Sequence, residues 1–153
     1  MIRFLKRLAS FLGGSRADPL AYRQLVGDQE WISRFLFSDH HFVRSSGRVK
    51  HHAFSPRNGE VSVFRIDDLP AHEIFRLGRQ IAGSGRIDEL KARADLKTIE
   101  VRSAKLDVAS APRIHQRHAN IVGWPGEKER IRALTMELAR HARLRLPQTT
   151  AEA

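Results

Sequence analysis

Apolar residues recur along this chain with two periods, and the changes of period mark its elements. Met1 to Leu12 sets Phe4, Leu5, Leu8, Phe11 and Leu12 on one helical face and Arg3, Lys6 and Arg7 toward the other. The expectation is an amphipathic basic helix, broken by Gly13-Gly14-Ser15. Asp18-Pro19 offers the next helix start, and Pro19 to Phe37 reads as two short helices or one kinked at Gly27. Trp31, Ile32, Phe35 and Leu36 have the i, i+1, i+4, i+5 spacing of a buried helical stripe, with Trp31 as a core anchor.

From Ser38 the period shortens. Alternation in His41-Phe42-Val43-Arg44 and Arg48-Val49-Lys50-His51 around Ser45-Ser46-Gly47 predicts a small hairpin, and Glu60 to Ile66 predicts a largely apolar strand suited to the centre of a sheet. Asp67-Asp68-Leu69-Pro70 caps a helix from Pro70 to Ala82 whose stripe is Ile74, Leu77, Gly78 and Ile81. A glycine in that stripe implies close packing on a sheet. Gly83-Ser84-Gly85 closes this helix, whereas a phosphate loop opens one.

Residues 86 to 96 read as a short helix or an irregular connection. Thr98 to Arg102, Leu106 to Ala109 and Arg117 to Val122 read as strands, and Pro125 to Leu146 as a closing helix buried through Ile131, Leu134, Leu138 and Ala142. The sum is an α+β fold: a single domain with one mostly antiparallel sheet packed against two or three helices. It is expected to occupy residues 18–147, after the basic segment 1–17 and before a disordered tail at 148–153.

Composition narrows the function classes. The chain has 153 residues, 41% apolar and 29% charged, which suits one globular domain. Cysteine is absent, which removes disulfides, thiolate nucleophiles and sulfur-ligated metals. No apolar run approaches a membrane span, and Lys6-Arg7 interrupts what a secretory signal would keep apolar, so a cytoplasmic location is expected. The formal charge of +10 points to a polyanionic partner, nucleic acid or another polyanion. Residues 1–12 also suit a peripheral membrane contact, and a protein partner is the further expectation.

Candidate chemistry concentrates between residues 40 and 57, which contain four histidines and four strong bases but no acid. Arg44, Arg48, Lys50 and Arg57, with Arg117 as a neighbour, are the expected nucleic-acid contacts, because cations along one surface neutralise phosphates and release counterions. His40-His41, His51-His52 and His115 with His118 invite a metal. Adjacent strand residues point to opposite faces, however, and the surrounding cations repel a dication, so neither metal nor cofactor is expected.

Histidine pairs also suit metal-independent RNA cleavage, with His118 and one of His41, His51 or His52 as base and acid. Gly123-Trp124-Pro125 is a structural turn in which Trp124 is the candidate partner-binding anchor. Three functions remain: nucleic-acid binding through the Arg/His-rich hairpin, an interaction subunit of a multiprotein assembly, and a small metal-independent ribonuclease.

Overall fold

The computed structural model describes residues 25–83 and 89–148. The amphipathic helix at 1–12, the rest of the segment 1–17 and the tail beyond Gln148 lie outside the described residues. Six strands form one sheet: β1 (Trp31–Leu36), β4 (Val61–Arg65), β5 (Ala92–Lys97), β6 (Asp107–Ser110), β7 (His118–Val122) and β8 (Arg143–Arg145). Their order is β6-β7-β4-β1-β5-β8, and every pairing is antiparallel. The hairpin β2 (Phe42–Val43) and β3 (Arg48–Val49) stands apart, flanked by 3-10 turns at Asp39–His41 and His51–Phe54. Three helices complete the described fold: α1 (Ala71–Ala82), α2 (Thr98–Ser103) and α3 (Lys128–His141). The α+β class, the hairpin, the central strand β4, α1 and β7 stand as the sequence pattern implies. No helix among the described residues is long and apolar enough to cross a membrane.

Both faces of the sheet are covered. Phe35 and Phe64 pack with Ile74, Phe75 and Leu77 of α1 on one side, where a Cβ at Gly78 would lie 2.8 Å from the Phe35 and Leu90 side chains. On the other side Ile32, Val63, Leu96 and Ile121 form a core with Phe54 of the second 3-10 turn and Leu138 of α3.

Four elements differ from the sequence expectation. Trp31–Leu36 is a strand rather than a helix: with both sheet faces buried, Ile32 and Leu36 fill one core and Phe35 the other. A two-sided strand thereby imitates the adjacent apolar pairs of a helical stripe. Ala92–Lys97 is a strand although it carries Arg93 and Asp95, because these side chains pair with each other at 2.6 Å on one face while Ala92, Ala94 and Leu96 face the core. Thr98–Ser103 is a helix rather than a strand. Its start is fixed by the Lys97 amide donating to Glu100 Oε2 (2.8 Å) and by the Thr98 amide donating to the Glu30 carbonyl (2.9 Å).

The closing helix ends at His141, short of the expected Leu146, because Ala142 turns extended (φ −67°, ψ 139°) and Arg143–Arg145 adds β8 along β5.

Candidate functional site

Two concave surfaces carry the chemically distinctive side chains. The first lies where α3 packs on the His51–Phe54 turn and on β3. Two depressions of about 720 and 470 Å³ share His51 and His52 and run on as one groove. Arg48 and Lys50 line it from the hairpin side, and Lys128, Arg132 and Arg140 from the helix. No carboxylate is among the lining residues of either depression. The His51 and His52 rings lie 3.9 Å apart, and the His51 imidazole is held below the usual histidine range by burial, then by His52 and Arg132. The three helical cations are not among the residues that the sequence pattern singles out. Their signal is present all the same as the i, i+4 recurrence Lys128, Arg132, Met136, Arg140, one ridge of α3.

The second surface is a cleft of about 650 Å³ that opens where β1 and β4 part. Those strands pair at Ile32↔Arg65 and Ser33↔Phe64 only, whereas β1 stays paired with β5 along its whole length. Arg34 bridges the gap, donating from Nη1 to the Ser62 carbonyl (3.0 Å) and from Nε to the Ala53 carbonyl (3.1 Å). Burial, then the nearby Arg57, lowers the Arg34 pKa from its ordinary value.

His118 sits on the same sheet face as Ser62, one diagonal step across the β4–β7 ladder, with Asn120 directly opposite Ser62. His118 Nδ1 lies 2.8 Å from the Ala111 carbonyl and Nε2 lies 2.8 Å from Ser62 Oγ. A carbonyl only accepts, so Nδ1 carries the proton, and in the neutral ring Nε2 then accepts from the Ser62 hydroxyl.

His41 lines the same cleft from the first 3-10 turn, and its Nδ1 is buried with no hydrogen-bond partner. Burial, followed by Arg34, His52 and His40, lowers its pKa. Arg57 and Glu60 stand at the rim, and Ser55 lines both cleft and groove.

The expected site residues therefore divide. Arg48, Lys50 and His51 join the groove, while His41, His118 and Arg57 join the cleft. Arg44 is exposed near the hairpin tip, its guanidinium 5.8 Å from the Phe42 ring. Arg117 is buried and donates to the carbonyls of Arg65 (3.1 Å) and Asp67 (3.2 Å), so its guanidinium serves the fold. Trp124 is half-buried against the core and donates from Nε1 to the Ile121 carbonyl (3.0 Å). Among the described residues no three of His, Asp and Glu converge as metal ligands would. No family model, curated protein or solved structure matches the chain.

A groove of fixed cations can neutralise a phosphate backbone. A serine hydrogen-bonded to an oriented imidazole can transfer its proton. The two surfaces thus offer different chemistry.

Proposed function

We propose that the chain binds nucleic acid along the groove between its hairpin and α3, through the phosphates. The observation that carries this reading is the five cations drawn from two distant segments onto one surface whose lining holds no carboxylate. Arg48 and Lys50 come from the histidine-rich hairpin, and Lys128, Arg132 and Arg140 project from one ridge of a helix packed beside it. Such a row attracts phosphates without reading base edges, so binding is expected to be strongly salt-dependent and weakly sequence-dependent. The His51 and His52 rings, 3.9 Å apart and tilted by 38°, add flat surfaces beside the phosphate path. A cytoplasmic location accords with this reading.

Titration of fluorescent RNA and DNA oligonucleotides at several salt concentrations tests it. Charge removal in Arg132→Gln/Arg140→Gln should weaken binding and reduce the log–log salt slope by about 0.7–0.9 for each phosphate that is no longer neutralised. Arg44→Gln, outside the groove, should change it least. Wild-type protein that binds neither nucleic acid at low salt would end the proposal, and a double variant with an unchanged slope would move the interface elsewhere.

A further inference from the structure

We infer that Ser62 is an activated nucleophile, that His118 is its general base, and that the cleft beside them hydrolyses a small carboxylic ester. This activity goes beyond nucleic-acid binding, and neither requires the other. Ser62 lies inside β4 on the sheet face it shares with Phe64, His118 and Asn120, and because β1 diverges after Ser33 the serine lines the wall of the 650 Å³ cleft. His118 Nε2 is 2.8 Å from Ser62 Oγ, and the ring is oriented from behind by the Ala111 carbonyl, 2.8 Å from Nδ1. Nucleophile, base and orienting acceptor thus stand in hydrogen-bonding sequence, the arrangement that activates serine elsewhere in protein chemistry. A backbone carbonyl takes the orienting place that a carboxylate can fill.

The cleft also holds groups for a developing negative charge. Arg34 uses Nη1 and Nε on carbonyls, and its Nη2 donates to no group among the described residues. Asn120, directly across the ladder from Ser62, lines the cleft, and no hydrogen bond of its side chain occurs among the described residues. Buried His41 Nδ1 on the same cleft also lacks a partner, a polar atom that a bound ligand would satisfy.

These few donors match the single oxyanion of a tetrahedral intermediate better than the charge of a transferring phosphoryl group. Phe35 and Phe37 supply an apolar wall for an acyl group.

The steps balance without a metal or redox partner. Ser62 Oγ bonds to the ester carbon as its proton passes to His118 Nε2, and the carbonyl electron pair moves to oxygen. Collapse breaks the bond to the leaving oxygen, which takes the proton from Nε2 and departs as an alcohol, leaving acyl-Ser62. Water attacks that ester, giving a proton to Nε2; collapse releases the acid and returns the proton to Ser62. The net change is ester plus water to acid plus alcohol.

The test exposes the full chain to p-nitrophenyl acetate and, separately, to a fluorophosphonate, and locates the adduct by peptide mass spectrometry. One adduct per chain on Ser62 is expected, with none in Ser62→Ala. In His118→Gln acylation should slow by about 10²–10⁴-fold. If His118→Gln does not fold, Ser62→Ala decides, since it removes one oxygen from a half-buried position. No adduct, an adduct on another residue, or undiminished hydrolysis by Ser62→Ala would overturn the inference. Preferential turnover of bis(p-nitrophenyl) phosphate would overturn the ester assignment. None of these outcomes bears on nucleic-acid titrations of the groove.

Discussion

The two ends of β4 treat an arginine in opposite ways. At the Arg65 end β1 is still paired, and the guanidinium, 1% exposed, is held by both oxygens of Glu30, at 2.8 Å from Nε and 2.7 Å from Nη2. Arg117 closes the same end by donating to the Arg65 and Asp67 carbonyls. At the Ser62 end β1 has departed, and half-buried Arg34 has backbone carbonyls instead of a carboxylate, beside a histidine nitrogen with no partner. One end is electrostatically complete and closed. The other keeps polar capacity in reserve and is open, which is the condition for taking a ligand. The difference arises from strand divergence: a carbonyl that loses its ladder partner must be satisfied by something, and here a long cationic side chain does it.

The largest test of this contrast is Glu30→Gln. Removing one charge of a buried pair leaves the other uncompensated in a low-dielectric site, which costs about 3–5 kcal/mol. Urea unfolding should show that loss with an unchanged m-value. A loss below about 1 kcal/mol, the range of exposed ion pairs, would mean that water reaches Arg65 and that the two ends are alike.

Arg34→Met should cost less. It strands the Ser62 and Ala53 carbonyls, each worth about 1–3 kcal/mol if buried without a partner, but the adjoining cleft lets water replace the guanidinium. Equilibrium unfolding of the two variants side by side ranks them, and a larger loss for Arg34→Met than for Glu30→Gln would reverse the comparison.

How much of this was legible in the sequence depends on which signal each segment carried. The Val61–Arg65 strand, the α1 stripe with its glycine and the small hairpin obey one-sided or short-range rules, and they are visible without tertiary context. Trp31–Leu36 and Ala92–Lys97 are central strands, and centrality is a tertiary property: burial on both faces erased the alternation in the first, and a buried Arg93–Asp95 pair disguised the second as a polar connection. Thr98–Ser103 misled through its β-branched residues, because six residues are too few for propensity to outweigh a cap.

At the candidate sites, residue types were readable but companionship was not. His41 and His118 were singled out together and do line one cleft, whereas His51 belongs to the groove. Ser62 and Arg34 carry no sequence mark, since a serine in a strand and an arginine in an apolar run become chemical only when two strands part.

The smallest expected effect separates the open end from the rest of the molecule by its pH dependence. Burial lowers the His41 pKa below the ordinary 6.5, with Arg34, His52 and His40 adding repulsion. Above that value the ring is neutral in both folded and unfolded chains and contributes nothing to a pH slope. As pH falls through 6.5 the unfolded chain takes up the proton first, so stability declines until the lower folded pKa is passed and the full penalty is reached. The ring is half-buried and solvent screens its neighbours, so this penalty is the smallest of the three effects.

His41→Gln removes the titrating group, and its unfolding free energy should fall less steeply than the wild type's below pH 6.5 while matching its slope above. A residual slope should remain in the variant, because burial also lowers His51 and His115. Ligand occupancy sharpens the result: a bound acyl group that satisfies His41 Nδ1 should change the wild-type slope and leave that of His41→Gln unaltered. Identical pH profiles for wild type and His41→Gln, with and without acylation of Ser62, would show that the orphaned nitrogen is already solvated and that the Ser62 end holds no reserve.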